Sequence, residues 1–117
     1  MKPMLNRENG MPSRCLRIYI PLKDSRTHQI KNGRMIKDLC AMLLPLLRGC
    51  TKYRAEGMWR NGDGKIIGEN VIIVESFGSG ENFRKAVQRI QTLLRKFKRQ
   101  YRQESIAVLV DKDFYLI

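Results

Sequence analysis

The residues whose types and spacing point most directly to chemistry are eight cations, Arg84, Lys85, Arg89, Arg95, Lys96, Lys98, Arg99 and Arg102, with no acid between Glu81 and Glu104. Like charges at i and i+4 cost an isolated helix roughly 0.2–0.5 kcal/mol per pair, so helicity alone does not account for such a series. A one-sided basic face suits phosphate or an acidic partner. Contacts of this kind to a nucleic-acid backbone depend steeply on salt and carry little base-sequence information. The expectation from these residues is a small, basic, non-enzymatic binding or accessory protein. It would dock through this helix on the backbone of RNA or DNA, or on a nucleoprotein assembly, with Lys85, Arg89, Lys96 and Arg99 as first contacts.

Catalytic constellations are sparse. The single His28 leaves no pair of imidazoles for a metal or nuclease site, and no serine sits in a nucleophile-elbow pattern. The carboxylates Glu56, Asp63, Glu69 and Glu75 fall along one stretch, but each lies among basic or turn-forming neighbours, where a surface ion pair explains it. Gly78 and Gly80 precede the basic stretch, and an anion could meet the chain at Gly80, Glu81 and Asn82, although Glu81 opposes it. The three cysteines, Cys15, Cys40 and Cys50, show neither CxxC nor Cys/His spacing, so no zinc site and no complete disulfide set is expected. No catalytic residue, metal ligand or bound cofactor is therefore assigned.

These groups must be positioned by a chain of 117 residues with 43% hydrophobic composition, one domain's length and enough for a modest core. Residues 79–104 are expected to form one long helix. Its apolar stripe, Phe83, Val87, Ile90, Leu94, Phe97 and Tyr101, advances by alternate steps of three and four, and Ala86 and Leu93 widen it. Ser79 is placed to cap its start, and Glu81 sits in the first turn where the helix dipole favours an anion. A shorter apolar-periodic helix is expected over residues 34–47, ended or kinked at Pro45 and stopped by Gly49.

Four strands complete the plan. Residues 16–22 alternate Leu16, Ile18 and Ile20 against Arg17 and Tyr19. Residues 51–60 and 66–75 flank Asn61, Gly62, Asp63 and Gly64, a hairpin turn, and residues 105–110 close the series, with 111–117 a tail or a continuation beyond a turn. The order βαββαβ is the split βαβ, or ferredoxin-like, α+β plan: a four-stranded antiparallel sheet with two helices on one face. The opposite strand phase also carries apolar side chains, including Tyr19, Leu109 and one phase of residues 71–74, so a homodimer through the open sheet face, or cover from the terminal arms, is expected. The triplet Ile18-Tyr19-Ile20 matches part of an RNA-recognition motif, but residues 65–72 lack the aromatic partners, and Tyr19 is given a packing role.

A formal charge of +12 implies attraction to polyanions without saying which. No apolar run reaches membrane-spanning length, and the polar start has no signal-peptide core, so a cytoplasmic protein without a membrane partner is expected. Residues 1–15 are read as a flexible N-terminal arm and 16–117 as a single domain.

Three ordered stretches resemble a family of small bacterial proteins known as a domain of unknown function with a ferredoxin-like fold. They are Leu44-Pro45 with Gly49, Thr51, Ala55, Gly57 and Trp59-Arg60; then Gly64-Lys65-Ile66-Ile67 with Glu69; then Phe97 and Tyr101 leading into Gln103-Glu104-Ser105-Ile106. The resemblance implies no activity, cofactor or substrate. It does single out Trp59, Arg60, Glu69, Gln103 and Glu104. An alternative function follows, a small-molecule-binding protein or enzyme using a pocket near Trp59 and Arg60 with Glu69, Gln103 or Glu104. A third is a dimeric structural partner of an acidic protein.

Overall fold

The computed structural model describes residues 13–23, 32–103 and 105–117. His28, Glu104 and most of the expected N-terminal arm lie outside the described residues. The elements are β1 (Arg14–Pro21), α1 (Gly33–Leu43), β2 (Thr51–Arg60), β3 (Ile66–Gly78), α2 (Gly80–Gln100), β4 (Ala107–Val110) and β5 (Asp113–Leu116). The strands form one five-stranded sheet in the order β2-β3-β1-β4-β5, with every neighbouring pair antiparallel.

This corrects the expected four strands. The chain after β4 turns back because Asp111 adopts a left-handed φ of 55°, a conformation that aspartate tolerates better than most residues. Its carboxylate then accepts from the Cys15 amide at 3.0 Å and from Arg14 Nε at 2.9 Å, which ties the β4–β5 turn to the start of β1. Burial pushes the Asp111 carboxyl up, but these hydrogen bonds and the Arg14 charge outweigh it and hold its pKa below the ordinary value.

The core follows from strand alternation. Leu16, Ile18 and Ile20 of β1 are fully buried, and Ile18 sits in register between Val74 of β3 and Val108 of β4. Met35, Ile36, Leu39 and Leu43 of α1 and Phe83, Ala86, Ile90, Leu94 and Phe97 of α2 join the same cluster, so both helices cover this one face. Each large side chain removed from water there contributes roughly 1.5–3 kcal/mol. α1 ends two residues before Pro45, whose ring would clash with the preceding turn.

Both ends of α2 differ from expectation. Ser79 is extended at φ −155° and makes no side-chain cap, its carbonyl accepting instead from the Phe83 amide at 3.3 Å. At the other end the helix stops at Gln100, because Arg102 swings to φ 52° and the Gln103 amide folds back onto the Lys98 carbonyl at 2.9 Å. That is a Schellman turn built without glycine. Residues 101–103 therefore leave the helix, contrary to the expected span.

Three measurements of unfolding test these statements. Leu94→Ala should cost roughly 2–5 kcal/mol, whereas Lys96→Ala on the solvent side of the same helix should stay within about 0.5 kcal/mol, as read from urea midpoints. Arg102→Gly should stabilise by about 1 kcal/mol, since glycine takes positive φ without the steric cost. Asp111→Asn should cost about 1 kcal/mol at neutral pH, a figure kept small by the half-exposed ion pair. The folded-state pKa of Asp111 is depressed, so its contribution is present above the ordinary carboxylate value and lost as pH falls through the lowered one. The stability difference between the native protein and the Asp111→Asn variant should accordingly vanish in acid.

Candidate functional site

Among the described residues, no helix lies over the sheet face away from α1 and α2. Tyr19 stands between Ile73 of β3 and Ala107 of β4, and Ile73 pairs on its other side with Tyr53 of β2. At one end of this face lies a concavity of about 770 Å³, lined among others by Tyr19, Lys23, Trp59, Glu69, Gln103 and Phe114. That is within the range of small-molecule pockets, and its wall is mostly aromatic and aliphatic with a few polar groups.

Three pieces of local structure build it. The first is the β2–β3 hairpin. Residues 71–78 of β3 pair with β1, but 66–70 pair with β2 alone, so the distal half of the hairpin runs on as a two-stranded ribbon beyond its neighbour. Asn61 holds the connection, its side-chain oxygen accepting from the amides of Asp63 and Lys65 at 3.0 and 2.9 Å, while Gly64 takes φ 77°. Trp59, opposite Ile67 on this ribbon, faces the concavity and keeps 52% of its surface exposed.

The second piece is the turn after α2. By leaving the helix it delivers Gln103 to the rim, where the side-chain amide donates to the Lys23 and Tyr101 carbonyls at 2.9 and 3.1 Å. With its amide nitrogen held, Gln103 has a side-chain oxygen left to accept from a ligand. The third is β5, which adds Phe114 and Leu116 to the wall; they pair with Leu109 and Ala107 and share their face.

Of the residues singled out in the sequence, Trp59, Glu69 and Gln103 line the same concavity, and Arg60 does not. Arg60 pairs with Ile66 and alternates to the other side of the ribbon. Lys23 and Phe114 carry no motif. The phase of β1, in which Tyr19 opposes Leu16 and Ile18, is the signal that places Tyr19 on this face.

Elsewhere on the open face Glu75 accepts from Arg17 Nε and from the Tyr53 hydroxyl at 3.2 Å. The hydrogen bond to Glu75 raises the Arg17 pKa, and burial followed by the same carboxylate raises that of Tyr53. Glu75 is thus an ion-pair member holding β1, β2 and β3 together. Among the described residues no group of three or more His, Cys, Asp or Glu side chains gathers to hold a metal ion. No helix formed by them is long and apolar enough to cross a membrane.

The helix cations lie in another layer. Arg84, Lys85, Arg89, Arg95, Lys96 and Arg99 are exposed on α2, Lys98 is half-buried, and Arg102 is exposed in the turn that follows. None of them lines the concavity, from which the sheet separates the helix. Arg84 is engaged by Glu81 at 3.0 Å.

Similar folds occur in known structures. A phage SAM lyase in complex with S-methyl-5′-thioadenosine matches with a TM-score of 0.64 at 20% identity, covering 99% of this chain and 95% of its own. A phage SAM lyase in the apo state matches at TM-score 0.60, again at 20% identity, over 98% of this chain and 95% of its own. A Bacillus cereus protein related to NIF3 matches at TM-score 0.55 and 11% identity, over 98% of this chain and 28% of that one. No curated protein matches the sequence. These neighbours correct the expectation of a non-enzymatic protein docking on RNA, DNA or a nucleoprotein through its helix cations: the fold shared across nearly the whole chain is one that a phage SAM lyase also adopts. A family model matches residues 44–115, and this chain belongs to that family, described as "Protein of unknown function (DUF3574)".

Proposed function

We propose that this protein is a small-molecule-binding protein of enzymatic type, and that its ligand is an adenosine thioether or sulfonium held in the open-face concavity. The observation that carries the reading is the 770 Å³ space in which Tyr19, Trp59 and Phe114 meet Lys23, Glu69 and Gln103. Aromatic rings offer a flat purine a stacking surface and attract a sulfonium through their negative faces. The Glu69 carboxylate can pair with the positive charge of a sulfonium, and the Gln103 oxygen can accept from a ribose hydroxyl or an exocyclic amine. The ligand class is suggested by S-methyl-5′-thioadenosine in the similarly folded lyase.

Calorimetric titration with S-methyl-5′-thioadenosine and with S-adenosylmethionine tests the proposal, alongside chromatography for consumption of the latter. Binding of one or both is expected. Trp59→Ala should weaken it roughly tenfold or more, the scale of one lost base-stacking contact. Glu69→Gln should weaken the sulfonium more than the neutral thioether. Absence of binding by either compound, with the protein folded, overturns the ligand class.

A second reading is favoured by the exposed Tyr53, Phe114 and Leu116, which leave an apolar stretch uncovered on the same face. Two copies meeting there would form the dimer expected from the sequence. Sedimentation at high protein concentration should then give twice the chain mass, with Phe114→Lys restoring the monomer; a native monomer rejects this reading.

A further inference from the structure

Two of the three cysteines, unremarkable in spacing, are brought together by the fold. Cys40 lies in the last turn of α1, and Cys50 immediately precedes β2. Their sulfur atoms are 2.9 Å apart, less than 1 Å beyond the ~2.05 Å of a covalent disulfide. Cys15, on β1, is the remaining thiol, and all three are free and half-buried.

The connection between the pair is already restrained at several points. The Leu47 amide returns to the Leu43 carbonyl at 2.8 Å, Gly49 turns at φ 77°, and the Gly49 carbonyl accepts from the Ser76 hydroxyl. Arg48 donates its amide to the Phe77 carbonyl at 2.8 Å. The two sulfurs therefore meet because α1 and the edge strand β2 are both docked on β3.

We propose that Cys40 and Cys50 are a redox site that forms an intramolecular disulfide with a low-molecular-weight disulfide such as oxidised glutathione. One cysteine thiolate attacks a sulfur of the oxidant, giving a mixed disulfide and expelling one glutathione thiolate. The second cysteine attacks the protein sulfur of that mixed disulfide and expels the other glutathione. The protein loses two electrons and two protons, and the oxidant becomes two molecules of thiol. The new bond closes residues 40–50 into a ring and clamps the end of α1 to the start of β2.

Burial first, and then the hydrogen bond and charge of Cys40, push the Cys50 thiol up to about 12, with Lys52 opposing. A thiol of such high pKa is also a poor leaving group, so the disulfide, once formed, should be reduced slowly.

The test uses the full native chain and the variants Cys40→Ser, Cys50→Ser and Cys15→Ser. Each is incubated with oxidised or reduced glutathione, blocked with maleimide and mapped by mass spectrometry after trypsin. The oxidised native protein and Cys15→Ser should both yield the peptide of residues 38–48 joined to that of 49–52, with Cys15 of the native chain still alkylated. Their Tm should rise by several to roughly ten degrees on oxidation, while Cys40→Ser and Cys50→Ser should show neither the linked peptide nor the rise. Persistence of two free thiols at Cys40 and Cys50, a glutathione adduct that never resolves, or pairing through Cys15 overturns the proposal. If either serine variant fails to fold, Cys15→Ser still decides between these outcomes.

Discussion

The structure depends on one packing constraint: the apolar stripe of α2 must be buried, and the surface that buries it is the face carrying Leu16, Ile18, Ile20, Val74 and Val108. With Phe83, Ile90 and Leu94 essentially inaccessible to water, the helix has one permitted rotation about its axis. That rotation sends its cations outward. It also makes α1 share the same face, because Met35 and Leu39 complete the same cluster. The strand registers then follow, since a one-residue slip of β1 would exchange Ile18 for Tyr19 in the core.

Everything on the far side of the sheet is a consequence. Committing both helices to one face leaves the other without a helix among the described residues, and the strand order places Tyr19 of the central β1 between the projecting hairpin and the β4–β5 pair. A concavity arises where the ribbon of residues 56–60 and 66–70 runs past the end of β1 and the turn after α2 returns to meet it. The Schellman turn matters here more than as a helix stop. Had residues 101–103 continued in the helix, Gln103 would have remained in the helix layer and not at this rim.

The charge of the chain points elsewhere. A net +12 is a property of composition, and the eight cations are conspicuous because nothing else in the sequence is so one-sided. Exposure on a helix says where charge is, and not what it is for, and the concavity that gathers Trp59, Glu69 and Gln103 lies on the opposite side of the sheet. Trp59, Glu69 and Gln103 are legible through ordered motif spacing, which also suggests a shared pocket. Arg60, adjacent in sequence to Trp59, belongs to the other side because strand side chains alternate. Lys23 and Phe114 carry no motif, and Phe114 depends on a fifth strand that the tail of the chain only hinted at.

By itself the sequence determined the local periodicities: a two-residue alternation in β1, the i, i+3, i+4 stripe of α2, and the Asn-Gly-Asp-Gly turn that makes residues 51–60 and 66–75 a hairpin. These rest on neighbours along the chain and on which side chains avoid water. Tertiary structure decided what depends on long-range closure. The left-handed turns at Arg102 and Asp111 belong to residues without a strong local preference for them. The approach of Cys40 to Cys50 depends on two elements docking on β3. The gathering of Trp59, Glu69 and Gln103 joins β2, β3 and the end of α2, whose separation along the chain leaves no periodic trace.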